Sequence, residues 1–488
     1  MSGIVSKQIK QPKIHSVKYN VVMNAILTTS TFLFPLVTVP YVSRVLGPDN
    51  NGIVSWAYTF VGYFSLVAQL GFTMYGTREC AKLRDDRAAL SKTVQELLII
   101  LFASTAIVYV VYVACLFVIP RTREQLPLMF IAGLSIWLTS CSAEWLYRAI
   151  EQYSYITVRN IAFKVLSIIL LFIFVRHTND TLVYAAVLLV GTLGSNVLNL
   201  LRLRVYVTFS RHYTMDIRKH FKAMFTFSIS NIASGMYGQI DMLLLGFLTS
   251  NYALGLYQLV YKIRNMCNSA VGAVSGVMLP RLSYYEAREG HEATTKLMAK
   301  SFNFLVMLGL ALMAAVVICV QPIILLLGGH DYLPGWSALV ISSPMILLGP
   351  IGSMQLQYMV AANREKEYTY TTVTGLVLAI IFELIFIPLW GINGAAFGLV
   401  VTEICVYALR TYIIRDFIKE VHKHTDYWKI VISWIAGCTC AVAISWLCES
   451  WSPIPRILMA AFGFCVFDAI LLILTKESFL QSMLHRKK

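Results

Sequence analysis

Apolar residues along this chain come in long unbroken runs separated by short polar turns. Residues Leu97 to Ile119 read LLIILFASTAIVYVVYVACLFVI without a charge, enough to cross a hydrocarbon core of about 30 Å as a helix. Comparable runs recur every 30 to 40 residues to the end of the chain. They predict an all-α integral membrane protein with fourteen spans, near 18–45, 53–74, 95–119, 127–148, 157–175, 181–203, 221–248, 252–279, 301–328, 334–361, 369–390, 394–414, 429–449 and 454–475.

The polar connections are small. Those assigned to the outer side read GPDNNG, PRTREQLP, RHTNDT, TSNY, GGHDYLPG, LWGING and ESWSPIP. The inner ones are longer and amphipathic, such as TRECAKLRDDRAALSK. None can hold a soluble domain, which needs about 50 residues, so any function sits within the helices. A faint internal repeat is visible. RVLGPDNNGIVSW after the first span and MLLLGFLTSNYALGLYQL after the seventh both place Leu-Gly near the outer end and a glycine at the opening of the next span. This predicts two pseudo-symmetric six-helix lobes, residues 1–210 and 211–425, followed by a helix pair and basic tail, 426–488. Duplicated halves with a site between them are a common transporter plan.

Composition and charge sharpen the picture. Of the 488 residues, 58% are hydrophobic and 13% charged, against about 25% charged in a soluble protein. The net charge of +15 would suit nucleic acid, but its distribution is a topology signal. With both termini in the cytoplasm, 35 Lys and Arg lie on the inner side and five on the outer, Arg44, Arg121, Arg123, Arg176 and Arg456. That is the positive-inside pattern, and no nucleic-acid partner is implied. The ten cysteines are scattered; Cys438 and Cys440 lack His or acidic neighbours and read as apolar filler, not metal ligands. The first apolar run is too long for a signal peptide and reads as a retained span.

Charged residues inside spans mark function by default. Lys262 and Arg264 in the eighth span are the most informative. They lie about 15–18 Å from its outer end at the helical rise, and Tyr257, Tyr261, Arg264 and Asn268 form one polar-aromatic face. They predict either a cation-lined cavity or a buried ion pair, for which Asp241, about 6 Å nearer the outside than Lys262, is the obvious partner. Asn231 and Gln239 add polarity to the same helix as Asp241, and Gln355 and Gln357 could line a sugar path or join helices. Lys164 could face a cavity or snorkel. Glu144 and Arg148 read as an i,i+4 pair. Glu383, Glu403 and Asp468 lie deeper, and Glu403 follows small residues that permit close packing. Arg44 reads either as an exit-side phosphate contact or as an interfacial anchor or ion pair beside a turn shaped by Pro48 and Gly52. No phosphate loop, metal-spaced His set or nucleophile arrangement points to an enzyme.

Four stretches in order resemble the polysaccharide-unit flippases, the Wzx or PST branch of the MATE-like (MOP) superfamily. They are PYVSRVLGPDNNGIVSWAYTFVGYFSLVAQLGFTMYGTRECAK, IDMLLLGFLTSNYALGLYQLVYKI, VMLPRLSYYEAREG and IPLWGINGAAFGLVVTE. The ninth span lacks the proline that relatives often carry early in that helix. The resemblance implies movement of an undecaprenyl-diphosphate-linked oligosaccharide from the inner to the outer leaflet of the bacterial inner membrane, for O-antigen, capsule or exopolysaccharide assembly. It implies two lobes alternating around a cationic cavity, here with Lys262, Arg264, Arg44 and Lys164 as candidate cations. Tyr257, Tyr261, Asn231, Gln239 and Gln355 would offer polar contacts to the sugar. No bound cofactor is implied. A proton or sodium gradient could drive transport through Asp241, with Glu403 and Glu383 as further acids. Partners would be membrane lipids and a polysaccharide polymerase and chain-length regulator. The alternatives are a cation-coupled drug exporter of the same superfamily, which would want an acid in the first span, and a membrane polymerase or ligase, which would want a large outer loop. A peptidoglycan-precursor flippase is the remaining alternative.

Overall fold

The computed structural model describes residues 17–210, 213–275, 282, 291–475 and 477. Among them every regular element is helical. In chain order the principal helices are α1 Val17–Ala68, α2 Phe72–Lys82, α3 Arg87–Val118, α4 Leu126–Ser140, α5 Glu144–Ala149, α6 Tyr153–Phe174, α7 Thr181–Leu189 and α8 Asn196–Tyr206. They continue with α9 Arg218–Tyr237, α10 Ile240–Leu248, α11 Asn251–Ser275, α12 His291–Ile318, α13 Val320–Leu327, α14 Trp336–Ser342 and α15 Met345–Ala361. The last are α16 Glu365–Trp390, α17 Ile392–Ile413, α18 Arg415–Lys423, α19 Tyr427–Leu447 and α20 Pro453–Leu474. Large apolar side chains such as Val110, Phe117, Val118, Leu458 and Phe462 are exposed, as on helices that face lipid rather than water.

Ten described helical segments are long and apolar enough to cross a membrane, or eleven if the pair His330–Ser342 and Met345–Ala361, bent by 44°, is one span. The chain is thus a multi-pass membrane protein. Fourteen spans were expected, and the difference has definite causes. The first two run as one stretch, Val22–Lys82. The tenth expected span is that bent pair. The seventh is split at Gly238 and Gln239 into α9 and α10. The eighth, α11, is diluted by Lys262, Arg264, Asn265 and Asn268 and falls below the apolarity of a simple lipid-facing span.

The turn between the first two spans also differs from expectation. The chain stays helical through GPDNNG except at Gly47, whose φ of 70° and ψ of 176° break the helix. Pro48 then opens the next helical segment, where its missing N–H costs nothing. Gly47 is therefore the conformational residue. Gly52 serves packing: a Cβ there would stand 2.2 Å from the Asn251 carbonyl oxygen, and one on Gly255 would stand 1.9 Å from that of Pro48.

Two packing units emerge. The first takes the part of α1 before residue 35 and the chain from 53 to 239; the second takes 35–52 and the chain from 240 onward. The division falls between α9 and α10, inside the seventh expected span rather than at 210. In the first unit Phe72, Tyr75, Leu97, Leu101, Trp145 and Leu146 belong to one buried cluster. In the second, Phe302, Met354, Tyr358, Phe417 and Ile418 do the same. The LWGING turn joins α16 and α17 through Gly391, at φ 57°, and a Cβ on Gly394 would stand 1.9 Å from the Phe386 carbonyl oxygen. The PRLS stretch falls outside the described residues except for Leu282.

Candidate functional site

Inside the first unit three helices are broken. The long α1 stretch ends at Ala68, and Leu70 and Gly71 take φ of 42° and 71° before α2. Between α4 and α5 the chain turns at Ala143, φ 39°. Between α7 and α8 the residues Val190–Gly194 form a π-helical turn. Non-helical backbone at membrane depth is tolerated where it is buried in protein or lines a wet cavity, and π turns cluster at functional sites.

The three breaks surround one cavity of about 460 Å³, within the usual range of small-molecule sites. The first break supplies Gln69, the second Ser142 and Glu144, and the third Gly191, Thr192 and Leu193. Thr31, Thr139, Asn160 and Asn196 add hydrogen-bonding groups, and Arg148 and Lys164 bring two cations. Lys164 Nζ donates to Ser30 Oγ at 2.9 Å, which leaves two of its three N–H groups for a ligand. Gly191 lets the π turn approach α6: a Cβ there would lie 2.5 Å from Ser167 Oγ.

One wall of the cavity is an ion-pair chain. Glu144 Oε1 accepts from Arg148 Nε at 3.0 Å and Nη2 at 2.7 Å. Its Oε2 accepts a longer bond, 3.5 Å, from Arg159 Nη2. Arg159 is buried, donates also to Asn160 Oδ1 at 3.3 Å, and lies over the Tyr155 ring. Two positive groups and one carboxylate, with Lys164 nearby, leave the site with net positive charge. Such a cavity suits an anionic, hydroxyl-rich ligand: arginine meets phosphate oxygens with a planar fork, and amides and hydroxyls meet sugar hydroxyls.

The second unit holds a separate buried polar cluster. Asp241 on α10 accepts from Tyr257 Oη at 2.9 Å and from Arg264 Nη2 at 3.3 Å, both on α11. Its other oxygen accepts from the Met242 N–H at 2.8 Å. Arg264 also lies over the Tyr261 ring. Asp241 is expected to pair with the α11 cations, with Lys262 within reach; the observed partner is Arg264, which with Tyr257 reaches Asp241 from α11, while Lys262 is half-buried. Glu383 on α16 interacts electrostatically with Asp241 and Arg264. It is fully buried, packs 3.4 Å from a Cβ position at Gly398, and neither carboxylate oxygen has a hydrogen-bond partner among the described residues.

The other candidates make contacts of their own. Arg44 is exposed, donates to the Leu325 and Leu326 carbonyls at 3.0 and 2.8 Å, and reaches the Pro40 carbonyl at 3.0 Å. It thus caps the C-terminal end of α13, where carbonyls lack helical donors and positive charge is favoured. Glu403 pairs with Arg410 at 3.5 Å, both buried, against Gly352, where a Cβ would stand 2.8 Å from Glu403 Oε1. Gln355 donates to Thr411 Oγ1 at 2.9 Å. Asn231 is half-buried and Gln239 exposed, both in the first unit.

Comparison with known proteins bears on the family. The sequence profile described as "Polysaccharide biosynthesis protein" matches residues 17–286. The chain belongs to that polysaccharide biosynthesis protein family. A relative described as a putative O-antigen transporter, from Escherichia coli K12, is 22% identical over 408 residues, covering 82% of this chain and 97% of the relative. One from Shigella dysenteriae is 21% identical over 394 residues, covering 80% and 98%. Among solved structures, the lipid II flippase MurJ in an inward closed conformation superposes with a TM-score of 0.74 at 13% identity, covering 93% of this chain and 99% of that one. An inward-facing MATE-family multidrug transporter of the MOP superfamily superposes with a TM-score of 0.62 at 17% identity, covering 82% and 99%. These likenesses give this polysaccharide biosynthesis protein the MOP transporter fold.

Much of the cavity wall in this family member escaped sequence reading. Gln69, Asn160, Thr192 and Asn196 are ordinary polar residues in the sequence, and only the helix breaks bring them together. Arg159 sits near the end of a span where any arginine looks interfacial. The one available signal was the density of polar residues in YSYITVRN before the apolar part of α6.

Proposed function

We propose that the protein moves undecaprenyl-diphosphate-linked oligosaccharide repeat units from the inner to the outer leaflet of the bacterial inner membrane by alternating access, with both termini in the cytoplasm. The product would feed O-antigen, capsule or exopolysaccharide assembly, alongside a polymerase and chain-length regulator. The observation that carries this reading is the cavity of the first unit, where three helix breaks and the continuous α6 bring Arg148 and Lys164 together among amides and hydroxyls. A sugar head group and its diphosphate cannot cross hydrocarbon bare, and a polar, net-positive wall lowers that cost. The names of the relatives support the same substrate class. A cationic drug would meet like charge there, which weighs against the exporter alternative.

A proton or sodium gradient is the proposed drive, acting at the buried Asp241, Arg264 and Glu383 cluster. One arginine facing two acids leaves room for one exchangeable cation. The test is complementation of a host lacking this gene. The wild-type chain restores surface polysaccharide. Arg148→Ala with Lys164→Ala leaves lipid-linked repeat units on the inner leaflet at normal protein level; restored export by that pair would overturn the assignment.

A further inference from the structure

The counterion pattern at the cavity wall is lopsided. Glu144 gives Arg148 two short bonds to one oxygen and gives Arg159 a single bond of 3.5 Å. Yet Arg148 is the exposed partner, with 43% of its side chain accessible, while Arg159 retains 2%. The buried arginine has the poorer partner. Its Nε and Nη1 have no acceptor among the described residues. A buried guanidinium with unmet donors costs free energy that an approaching carboxylate would recover. What keeps Glu144 away is Arg148, four residues along the same short helix.

We infer that Glu144 is an exchangeable counterion. A phosphate or diphosphate monoester or diester entering the cavity takes the fork of Arg148 and the free N–H groups of Lys164. Glu144, displaced, moves onto Arg159. Total charge pairing is conserved at each stage: one carboxylate serves Arg148 in the empty cavity and Arg159 in the loaded one. Arg148 is then the ligand-binding residue, and Arg159 a positioning residue that acts through Glu144. The exchange also selects against neutral glycans, which cannot replace a carboxylate at Arg148. It rests on the reading of this cavity as the head-group site, and names the phosphate as the group that opens it.

The experiment measures binding of inorganic pyrophosphate and of a polyprenyl diphosphate to the full-length protein in phosphatidylcholine nanodiscs, by calorimetry, with phosphatidylglycerol nanodiscs as a separate arm. Glu144→Gln keeps the shape and removes the competitor, so it binds pyrophosphate about three- to fivefold tighter than wild type. Arg148→Gln binds about tenfold more weakly. In the Arg148→Gln background the gain from Glu144→Gln disappears. Arg159→Gln, checked for a monodisperse folded species, weakens binding because Glu144 stays on Arg148; Arg159→Lys, which retains the charge, restores part of it. Unchanged or weaker binding by Glu144→Gln, or a gain that persists without Arg148, overturns the exchange. Loss of wild-type binding in phosphatidylglycerol alone assigns the site to membrane phospholipid and overturns the head-group role. Export is not the readout, so failure here leaves the transport test independent.

Discussion

Gly52 and Gly255 meet reciprocally. A Cβ on Gly52 would strike the carbonyl of Asn251, four residues before Gly255, and a Cβ on Gly255 would strike that of Pro48, four residues before Gly52. Each helix thus presents the same register to the other, the relation of two elements about a local two-fold axis. These are the glycines that open the spans after the repeated Leu-Gly turns, so the faint sequence repeat has a physical counterpart. It also explains why residues 35–52 pack with the second unit.

Alanine at either glycine forces backbone apart, and destabilisation of about 1–3 kcal/mol is expected for each. Thermal unfolding of the purified protein checks this. Gly62, inside α1 where a Cβ would meet nothing within 4 Å, is the control: alanine is favoured over glycine in a helix interior, so Gly62→Ala keeps or raises the midpoint. Equal midpoints for all three variants would contradict the crossing.

Asp241→Ala strands Arg264 in a buried site, and about 3–5 kcal/mol of stability is lost. Replacing both, Asp241→Ala with Arg264→Met, removes the stranded charge and recovers most of it. Transport does not recover, because the pair is the proposed site of ion coupling. Stability and uptake of the labelled ion, measured on the same preparations, separate the two roles.

Arg44→Ala releases the carbonyls of Leu325 and Leu326 at the end of α13, with an expected cost of about 0.5–2 kcal/mol. Export falls only as far as folded protein falls. Export lost at full stability would return Arg44 to the substrate path.

Lys262 and Arg264 lie two residues apart yet behave oppositely. Lys262→Ala leaves the Asp241 cluster intact and is stable, whereas Arg264→Ala leaves Asp241 buried without its cation and is not. Detergent-solubilised melting curves of the two single variants check the difference.

The membrane class, the polar side chains of the eighth span and the paired glycine turns were legible because each is written locally, in run length, charge or a repeated dipeptide. The boundary between packing units was not, since residues 35–52 change sides through a backbone crossing that no hydropathy pattern encodes. The choice of Arg264 over Lys262 as the partner of Asp241 depends on helix rotation, and two neighbouring cations look alike in sequence. The cavity was the least legible feature: Gln69, Glu144 and Thr192 are far apart in the chain, and each lies at a helix break that a continuous apolar run conceals. Lys164 was visible as a charge inside a span, and Glu144 and Arg148 as an i,i+4 pair, but nothing local placed the three at one cavity.

The most direct measurement is translocation of a fluorescent polyprenyl-diphosphate oligosaccharide in proteoliposomes containing the purified protein. Wild type moves the label to the opposite leaflet, and Arg148→Ala with Lys164→Ala slows it by about tenfold or more while remaining folded. Undiminished translocation by that variant would contradict the assignment of the first-unit cavity as the head-group site.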